Sequence, residues 1–365
     1  MFNLNEHLNS GIRDILKTAG RFYLKDTKGI ACLAKVGPAM AKAAKRREAN
    51  EAAGLHVPVF LIASIAAECN LRCNGCYAWA NGTVGAAAKA AELSDDTWAA
   101  ILDEADELGI SFVLLAGGEP TLCRAVIEEA ATHEGMMFPI FTNGSYINDT
   151  WIELFDNHRN LIPVFSLEGD FYQTDARRGP GVAKRVHENM AELQKRHIMW
   201  GVSYTVTKEN MDGVTDVDSL ADLYNKGCGL VIFNEYVPIA CGTEDMAMRT
   251  EDQRRMMTRV EEARVSGKMD NMILMSFPGD EELTGGCVAA GRGFFHINYA
   301  GAAEPCPISP YCVANVTEVG IKGALASSFF ARIRDIEAAH SDEHVGGCSL
   351  FMHKEEVEAA MAAGE

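Results

Sequence analysis

Residues 59–77 join an apolar, strand-like run to a short loop that carries three cysteines. The run reads Val59-Phe60-Leu61-Ile62-Ala63-Ser64-Ile65, and the loop that follows it reads Cys69-Asn70-Leu71-Arg72-Cys73-Asn74-Gly75-Cys76-Tyr77. A 4Fe–4S cluster normally takes four thiolates from its protein. Three thiolates on one loop therefore predict a cluster whose fourth iron stays open to an outside ligand. We expect the ring of Tyr77, directly after the third cysteine, to cover the edge of that cluster.

Two other uses of these cysteines agree less well with the sequence. A zinc site usually needs a second Cys or His pair nearby, and no histidine falls between Cys69 and Leu93. A disulfide framework is unexpected in a chain of 365 residues that has 11 cysteines and no secretory signal. The spacing therefore favours an iron–sulfur cluster over zinc or inert thiols.

Composition and charge narrow the class of protein. With 365 residues, 48% of them apolar, the chain can bury the core of one elaborated domain or of two smaller ones. It has no apolar run of membrane-spanning length and no export signal, which predicts a cytoplasmic protein. The net charge of −18 argues against general binding of nucleic acid.

The N-terminal segment differs in charge from the rest of the chain. Residues 1–47 carry ten Lys or Arg residues and three acids, a net of +7 that leaves −25 for the remainder. Apolar residues such as Ile15, Leu16 and Phe22 recur at helical spacing, so the segment predicts a basic amphipathic helix. Such a helix can lie on an anionic membrane as a peripheral contact. The other interpretation, slightly favoured, is a helical cover packed on the acidic body of the protein.

Six apolar runs alternate with helical patterns from Val57 onward. They span residues 59–65, 111–116, 137–142, 161–167, 200–206 and 229–237, and they are continuous, as in strands buried on both faces. Ser94 is a predicted N-cap of one intervening helix, and Thr250 opens a capping-box pattern at another. Six strand–helix units imply a parallel sheet but cannot close an eight-stranded barrel. We predict an α/β fold with an open, partial barrel and with its chemistry at the carboxyl ends of the strands.

These features resemble the radical S-adenosylmethionine (SAM) superfamily. The resemblance rests on the three-cysteine loop and on Gly117-Gly118-Glu119-Pro120, which follows the second run and resembles the family's Gly-Gly-Glu-Pro motif. It covers about residues 57–350. It implies a partial (β/α)6 barrel, a 4Fe–4S cluster on Cys69, Cys73 and Cys76, and SAM chelating the open iron through its amino and carboxyl groups.

The resemblance also implies which residues line the SAM cavity. Gly117, Gly118 and Glu119 match the turn that receives the SAM amino group. Arg178 is expected to pair with the SAM carboxylate, the alternative being a surface ion pair with Asp175. Polar residues at the ends of the third to fifth strands are expected to face the same cavity: Thr142, Asn143, Ser166, Glu168, Asp170 and Ser203. The sixth strand offers further candidates in Asn234, Glu235 and Tyr236.

A second set of cysteines follows the predicted barrel. Phe294 to Tyr299 alternates partly like a strand and Gly301 suits a turn, so we predict a β-hairpin. The hairpin with its flanking cysteines resembles the twitch or SPASM extension of radical SAM enzymes. A full SPASM extension has seven cysteines, whereas four follow the barrel here, namely Cys287, Cys306, Cys312 and Cys348. They imply one auxiliary 4Fe–4S cluster closed by Cys348, with Cys312 lacking a diagnostic spacing. Buried free thiols are the alternative.

The sequence thus predicts three parts: a basic helical segment (1–56), a radical SAM partial barrel (57–270) and an auxiliary iron–sulfur region (271–365). The resemblance implies an enzyme that cleaves SAM to a 5′-deoxyadenosyl radical and abstracts hydrogen from its substrate. A low-potential donor such as ferredoxin or flavodoxin would supply the electron. A small-molecule or lipid-like substrate is slightly favoured, because residues 1–56 show no evident β-wing to grip a leader peptide. A peptide maturase is the alternative, and a non-catalytic electron carrier is a third hypothesis that the SAM-facing motifs oppose.

Overall fold

The computed structural model describes residues 4–340 and 347–363. The first three residues of the predicted N-terminal segment, and Gly346 ahead of Cys348, lie outside the described residues. The strands are β1 (Phe60–Ala66), β2 (Phe112–Gly117), β3 (Phe138–Thr142), β4 (Leu161–Leu167), β5 (Trp200–Val206), β6 (Cys228–Glu235), β7 (Ile273–Phe277), β8 (Phe294–Ile297) and β9 (Ala303–Glu304). The helices are α1 (Leu4–Tyr23), α2 (Thr27–Ala52), α3 (Tyr77–Ala80), α4 (Ala86–Ala90), α5 (Asp95–Leu108), α6 (Arg124–Thr132), α7 (Asp149–Asn157), α8 (Phe171–Arg178), α9 (Val182–Lys195), α10 (Met211–Val214), α11 (Val217–Asn225), α12 (Thr250–Val265), α13 (Glu281–Thr284), α14 (Val316–Leu325), α15 (Ser328–Ala339), α16 (Ser349–Met352) and α17 (Lys354–Ala362).

The described strands form one sheet in the order β7-β6-β5-β4-β3-β2-β1-β8-β9. Neighbours from β7 to β8 pair in parallel, and β9 runs antiparallel to β8. The six predicted runs are β1 to β6, so the predicted α/β fold with a parallel sheet is confirmed. The prediction omitted β7 and did not foresee that β8 would extend the sheet beside β1. The parallel part of the sheet therefore has eight strands rather than six.

The two faces of the sheet bury different sets of residues. On β4, Leu161 and Phe165 pack with the helices that connect the strands, whereas Ile162 and Val164 pack with the N-terminal helices. Successive side chains of a strand point to opposite faces, which explains the division. We call the face that carries Ile162 and Val164 the inner face.

The α1–α2 hairpin covers the amino half of the inner face. Lys28, Lys35 and Arg46 on α2 also pair with acids of the body. The hairpin thus forms the predicted cover, and the apolar stripe that suggested membrane contact is occupied by the sheet. The described helices include none that is long and apolar enough to cross a bilayer. The hairpin side chains buried against the sheet are Ala19, Phe22, Tyr23, Val36 and Met40.

Capping residues set the predicted helix starts, with one shift. The hydroxyl of Ser94 accepts a hydrogen bond from the N–H of Thr97 (3.2 Å) at the start of α5, as predicted. Thr250, by contrast, is the first residue of α12 rather than its cap. The cap is Arg249, whose N–H donates to Asp252 (3.3 Å). The predicted capping box is displaced by one residue, because the side chain that accepts from the N–H of the cap residue is Asp252 and not Gln253.

The predicted C-terminal hairpin forms as β8 and β9. His296 pairs with Glu304 across it, and the turn uses Gly301 at a φ of 83°. On its other edge β8 pairs with β1, with Phe294 opposite Phe60. The auxiliary region therefore continues the barrel sheet, next to the strand that leads into the three-cysteine loop.

Candidate functional site

Polar side chains replace apolar ones where the inner face reaches the carboxyl ends of the strands. Ser166 follows Ile162 and Val164 at the same two-residue spacing on β4, and it lies opposite Ser203 on β5. The Ser203 hydroxyl accepts a hydrogen bond from the side-chain amide of Asn234 on β6 (2.9 Å). The predicted residues Ser166 and Ser203 are thus neighbours on a polar half of the inner face, beyond the part that the hairpin covers.

The three-cysteine loop begins after β1 and extends across the polar half of the inner face to α8 and to the end of β6. The N–H of Asn74 donates to the carbonyl of Arg177 at the end of α8 (3.0 Å). Gly75 has a φ of 68°, and a Cβ there would lie 2.5 Å from the hydroxyl of Tyr236, just after β6. Since β6 is five places from β1 in the sheet, the loop lies over the carboxyl ends of the strands between them.

The Gly-Gly-Glu turn after β2 supports the start of this loop. The N–H groups of Gly118 and Glu119 donate to the carbonyls of Ala66 (2.7 Å) and Glu68 (2.8 Å). A Cβ on Gly117 would lie 2.4 Å from the Ala66 oxygen, and one on Gly118 would lie 2.1 Å from the Glu68 oxygen. Glycine is required here because the two backbones meet directly before Cys69.

Gly118→Ala is expected to displace the cysteine loop and lower its capacity for iron. The added methyl group would overlap the Glu68 carbonyl, and relieving that overlap costs about 1–3 kcal/mol. The matched control is Gly37→Ala in α2, where a Cβ meets no atom within 4 Å. It should keep the full iron content and gain up to about 1 kcal/mol in unfolding free energy. Iron analysis after anaerobic reconstitution measures the iron content of each variant, and thermal unfolding measures its stability. Equal iron content in the two variants would contradict the role of Gly118 in positioning the cysteine loop.

The Glu119 carboxylate is buried, and both of its oxygens are engaged within the protein. Oε1 accepts hydrogen bonds from the hydroxyls of Thr121 (2.5 Å) and Thr142 (2.7 Å), and Oε2 accepts one from the N–H of Asn143 (2.8 Å). Burial raises the pKa of Glu119, although these hydrogen bonds act in the opposite direction. The carboxylate therefore fastens the end of β3 to the turn after β2. The Asn143 amide nitrogen lies 3.9 Å from the sulfur of Cys69.

Glu168 binds two arginines beside the cysteine loop. Its Oε1 accepts hydrogen bonds from Arg177 Nη1 (2.6 Å) and Arg178 Nε (2.7 Å), and the Glu168 side chain is 3% exposed. Arg178 Nη1 lies 4.0 Å from the sulfur of Cys73. The alternative of an ion pair between Arg178 and Asp175 is wrong, because Asp175 instead accepts from backbone N–H groups at the start of α9.

The arginines counteract the effect of burial on the thiol of Cys73. Burial raises the pKa of Cys69 to about 11, and it also raises the pKa of Cys73, where Arg178 and Arg177 act in the opposite direction. Burial lowers the pKa of Arg178 itself, but the neighbouring Glu168 outweighs this and leaves it raised. Arg178 therefore stays charged and favours the thiolate form of Cys73, the form that binds metal.

The residues at this site fit a cluster and a polar ligand. The loop offers three thiols and no histidine, a donor set that an iron–sulfur cluster takes from its protein. In addition, Glu168 Oε2 is buried and has no hydrogen-bond partner among the described residues. An orphaned buried oxygen is costly, and a ligand with hydroxyl or ammonium donors would satisfy it.

Three of the four C-terminal cysteines come together. Burial raises the pKa of Cys287 and of Cys348, and the neighbouring Cys306 adds to both shifts. The buried Glu281 of α13 also raises the pKa of all three thiols. Cys312 is the exposed one of the four. Partial desolvation and the carboxylate of Glu304 raise its pKa, and no other thiol contributes. The structure thus groups Cys287, Cys306 and Cys348 and leaves Cys312 outside.

Tyr77 is near cysteines of both sets. Burial raises its pKa, and the charges of Cys76, Cys306 and Glu304 raise it further. Such charge effects fall off with distance, so both sets are close to the phenol. Its neighbour Glu304 is itself buried and pairs with His296 (2.7 Å). No sequence pattern indicates this pair, because it forms only when β9 folds back on β8.

Glu235 anchors the segment that leads to Cys348. Its Oε2 accepts a hydrogen bond from the N–H of Gly347 (3.0 Å), 112 residues away in the chain. Its Oε1 accepts another from the side chain of Gln253. Glu235, a candidate cavity residue from the sequence, is thus engaged with the C-terminal segment.

A three-thiol loop over the carboxyl ends of a parallel sheet, supported by a Gly-Gly-Glu turn, is the arrangement expected of a radical SAM enzyme. Residues 64–221 match the family model of the Radical SAM superfamily. This match implies a 4Fe–4S cluster and SAM as cofactors.

Known relatives support this placement. The chain is 25% identical over 327 residues to the AdoMet-dependent heme synthase of Methanosarcina barkeri, covering 82% of this chain and 90% of the relative. It is 23% identical over 268 residues to the sporulation killing factor maturation protein SkfB of Bacillus subtilis, covering 72% of this chain and 63% of that protein. The crystal structure of Streptococcus suis SuiB shares the fold, with a TM-score of 0.65 at 17% identity over 91% of this chain and 81% of SuiB.

Proposed function

We propose that this enzyme cleaves SAM reductively and then takes a hydrogen atom from a small organic molecule. The thiols of Cys69, Cys73 and Cys76 would hold the cluster, which when bound and reduced would supply one electron for cleavage of SAM to methionine and a 5′-deoxyadenosyl radical. A low-potential protein such as ferredoxin or flavodoxin would deliver that electron. The chain's own residues bind these groups, orient them and exclude water.

The open oxygen of Glu168 beside the cysteine loop is the observation that carries the proposal. Arg177 and Arg178 hold Oε1 of this buried carboxylate, so Oε2 remains for a ligand. The ribose hydroxyls and the ammonium group of SAM are donors that match such an acceptor. Ser166 and Ser203 add hydroxyl groups on the same polar half of the inner face.

A small molecule is the substrate class that we favour. The heme synthase from Methanosarcina, whose name gives a small-molecule product, is similar to this chain over most of its own length. The described N-terminal residues form a helical hairpin that buries Phe22, Tyr23 and Met40 against the sheet. Both points favour a substrate that enters the site without a leader held at the N-terminus.

A peptide is the second candidate. SkfB, which is also similar to this chain, is named for the maturation of a killing factor. Phe171 and Tyr172 are exposed on the first turn of α8, directly after the loop that carries Glu168. Aromatic side chains at the mouth of a site are frequent contacts for peptides.

We also propose that Cys287, Cys306 and Cys348 hold an auxiliary 4Fe–4S cluster. The grouping of these three thiols supports it, as does Tyr77, which is close to both sets of cysteines. Such a cluster would accept the electron that a substrate radical gives up, or bind the substrate directly.

Glu168→Gln is expected to weaken SAM binding about tenfold, since one charge-assisted hydrogen bond contributes about 1.5 kcal/mol. Asp170→Asn is the matched control from the same loop. The sequence had suggested that Asp170 faces the cavity, but it is exposed and caps α8 by accepting from the N–H of Gln173 (2.8 Å). Asparagine is an equally good N-cap, so the control should keep both helix and affinity. Calorimetric titration of SAM into cluster-loaded protein measures the effect, and equal dissociation constants would refute the role of Glu168.

Formation of 5′-deoxyadenosine tests the activity and the substrate class together. Dithionite-reduced, cluster-loaded protein should release it from SAM, and faster when a small-molecule fraction of a cell extract is added. Stimulation by a peptide fraction alone would favour the second candidate. Absence of 5′-deoxyadenosine from cluster-loaded protein under every condition would remove the proposed function.

A further inference from the structure

Two histidines and a glutamate meet where the C-terminal helices pack together. His340 directly follows α15, His353 joins α16 to α17, and Glu356 lies in the first turn of α17. The imidazole rings of His340 and His353 are stacked, with centroids 3.6 Å apart and planes 15° apart. These three residues are separate from both sets of clustered cysteines and have no part in the proposed reaction.

The spacing of their ligand atoms suits one metal ion, although the stacked rings would first have to turn about their Cβ–Cγ bonds so that both nitrogens face it. Nε2 of His340 lies 3.1 Å from Oε1 of Glu356, and Nδ1 of His353 lies 3.4 Å from the same oxygen. One nitrogen from each ring and a carboxylate oxygen all lie within 4.8 Å of one another. A tetrahedral ion with bonds of 2.0–2.1 Å to nitrogen and oxygen needs its ligand atoms about 3.3–3.4 Å apart. The two measured distances are close to that value.

The environment of the triad permits an ion to enter. The side chains of His340 and His353 are 22% and 21% exposed, and that of Glu356 is 51% exposed. The rings are thus held against the protein while one side of the group stays open to water, which can complete the coordination. The helices that hold the triad are fixed to each other, since Arg332 of α15 donates to the carbonyl of Ala360 in α17 (3.1 Å).

We propose that His340, His353 and Glu356 bind one divalent transition-metal ion, which joins the end of α15 to the start of α17. Two imidazoles and one carboxylate form a donor set that zinc takes in proteins, and nickel and copper suit imidazole as well. The ion would fix the segment that runs from Cys348 through α16 to α17. The competing arrangement is a metal-free triad, in which both ring N–H groups donate to the one carboxylate oxygen.

Zinc titration of the cluster-loaded, full-length protein tests the site. Loading the iron–sulfur sites first keeps their cysteines occupied. Wild type should bind one zinc ion per chain in addition to its iron. Glu356→Gln should bind zinc at least about tenfold more weakly, and His353→Ala should lose the site. The matched control is Glu355→Gln, the exposed neighbour on the same helix turn, which should bind as wild type does.

Cobalt(II) in place of zinc identifies the ligands. Bound to the triad, it should give visible ligand-field bands without the intense near-ultraviolet charge transfer that thiolates produce. The proposal would be overturned by thiolate bands or by equal zinc affinity in Glu355→Gln and Glu356→Gln. It would also be overturned if the cluster-loaded protein bound no zinc in addition to its iron. The last result would leave a hydrogen-bonded triad only. Circular dichroism of each variant shows whether a lost site reflects lost folding.

Discussion

Cys73→Ala is expected to abolish SAM cleavage while leaving the fold intact. The side chain sits on a loop outside the sheet, so its loss removes little buried surface, but only two of the three thiolates for the SAM-binding cluster remain. After anaerobic reconstitution, the variant should contain about four irons fewer per chain than wild type. Its release of 5′-deoxyadenosine should fall to the level of a reaction without enzyme. Iron and sulfide counts and product analysis measure both effects.

Cys241→Ala is the control for this variant. Cys241 is exposed and lies outside both groups of cysteines, so its replacement should change neither the iron content nor the rate. A Cys73→Ala protein that kept its full iron content and its activity would show that the loop does not hold the cluster.

Cys348→Ala and Cys312→Ala are expected to differ in iron content, although the two cysteines lie in the same region of the chain. Cys348 belongs to the group with Cys287 and Cys306, whereas Cys312 is exposed and outside it. We expect Cys348→Ala to lose about four irons per chain and Cys312→Ala to lose none. Both should still cleave SAM in the absence of substrate, because Cys69, Cys73 and Cys76 are untouched. Electron paramagnetic resonance of the reduced proteins would show one cluster signal in the first variant and two in the second.

The comparison of the two variants decides the ligand set. Equal loss of iron would make Cys312 a ligand of the auxiliary cluster, and the grouping of three thiols would then be incomplete. If neither variant lost iron, the C-terminal cysteines would be free thiols, and the auxiliary cluster would have to be given up.

The strands were predictable because each is buried on both faces and reads as a continuous apolar run. Trp200 to Val206 is an example, and β5 has those bounds. The short run of β7, Ile273–Phe277, was missed because it lies in the part of the chain, residues 271–365, that the sequence analysis assigned to the auxiliary region. The position of the α1–α2 hairpin was also open, since an amphipathic helix has the same spacing whether it meets a membrane or a sheet.

The candidate site was predictable where its residues are neighbours in the chain. The three-cysteine loop and the Gly-Gly-Glu turn are local patterns, and the structure places them against each other. Contacts between distant segments produce no local pattern in the sequence. The bond from Gly347 to Glu235 and the approach of Tyr77 to Cys306 depend on how the C-terminal region folds back, which spacing alone does not encode.

The hairpin cover bears on the order in which ligands bind. Because α1 and α2 occupy the amino half of the inner face, SAM and substrate have to approach from the mouth at the carboxyl ends. The Glu168 oxygen proposed to bind SAM is buried, so a substrate bound first at the mouth would block SAM from it. We therefore expect ordered kinetics, in which bound substrate slows the escape of SAM and no substrate-first complex leads to product.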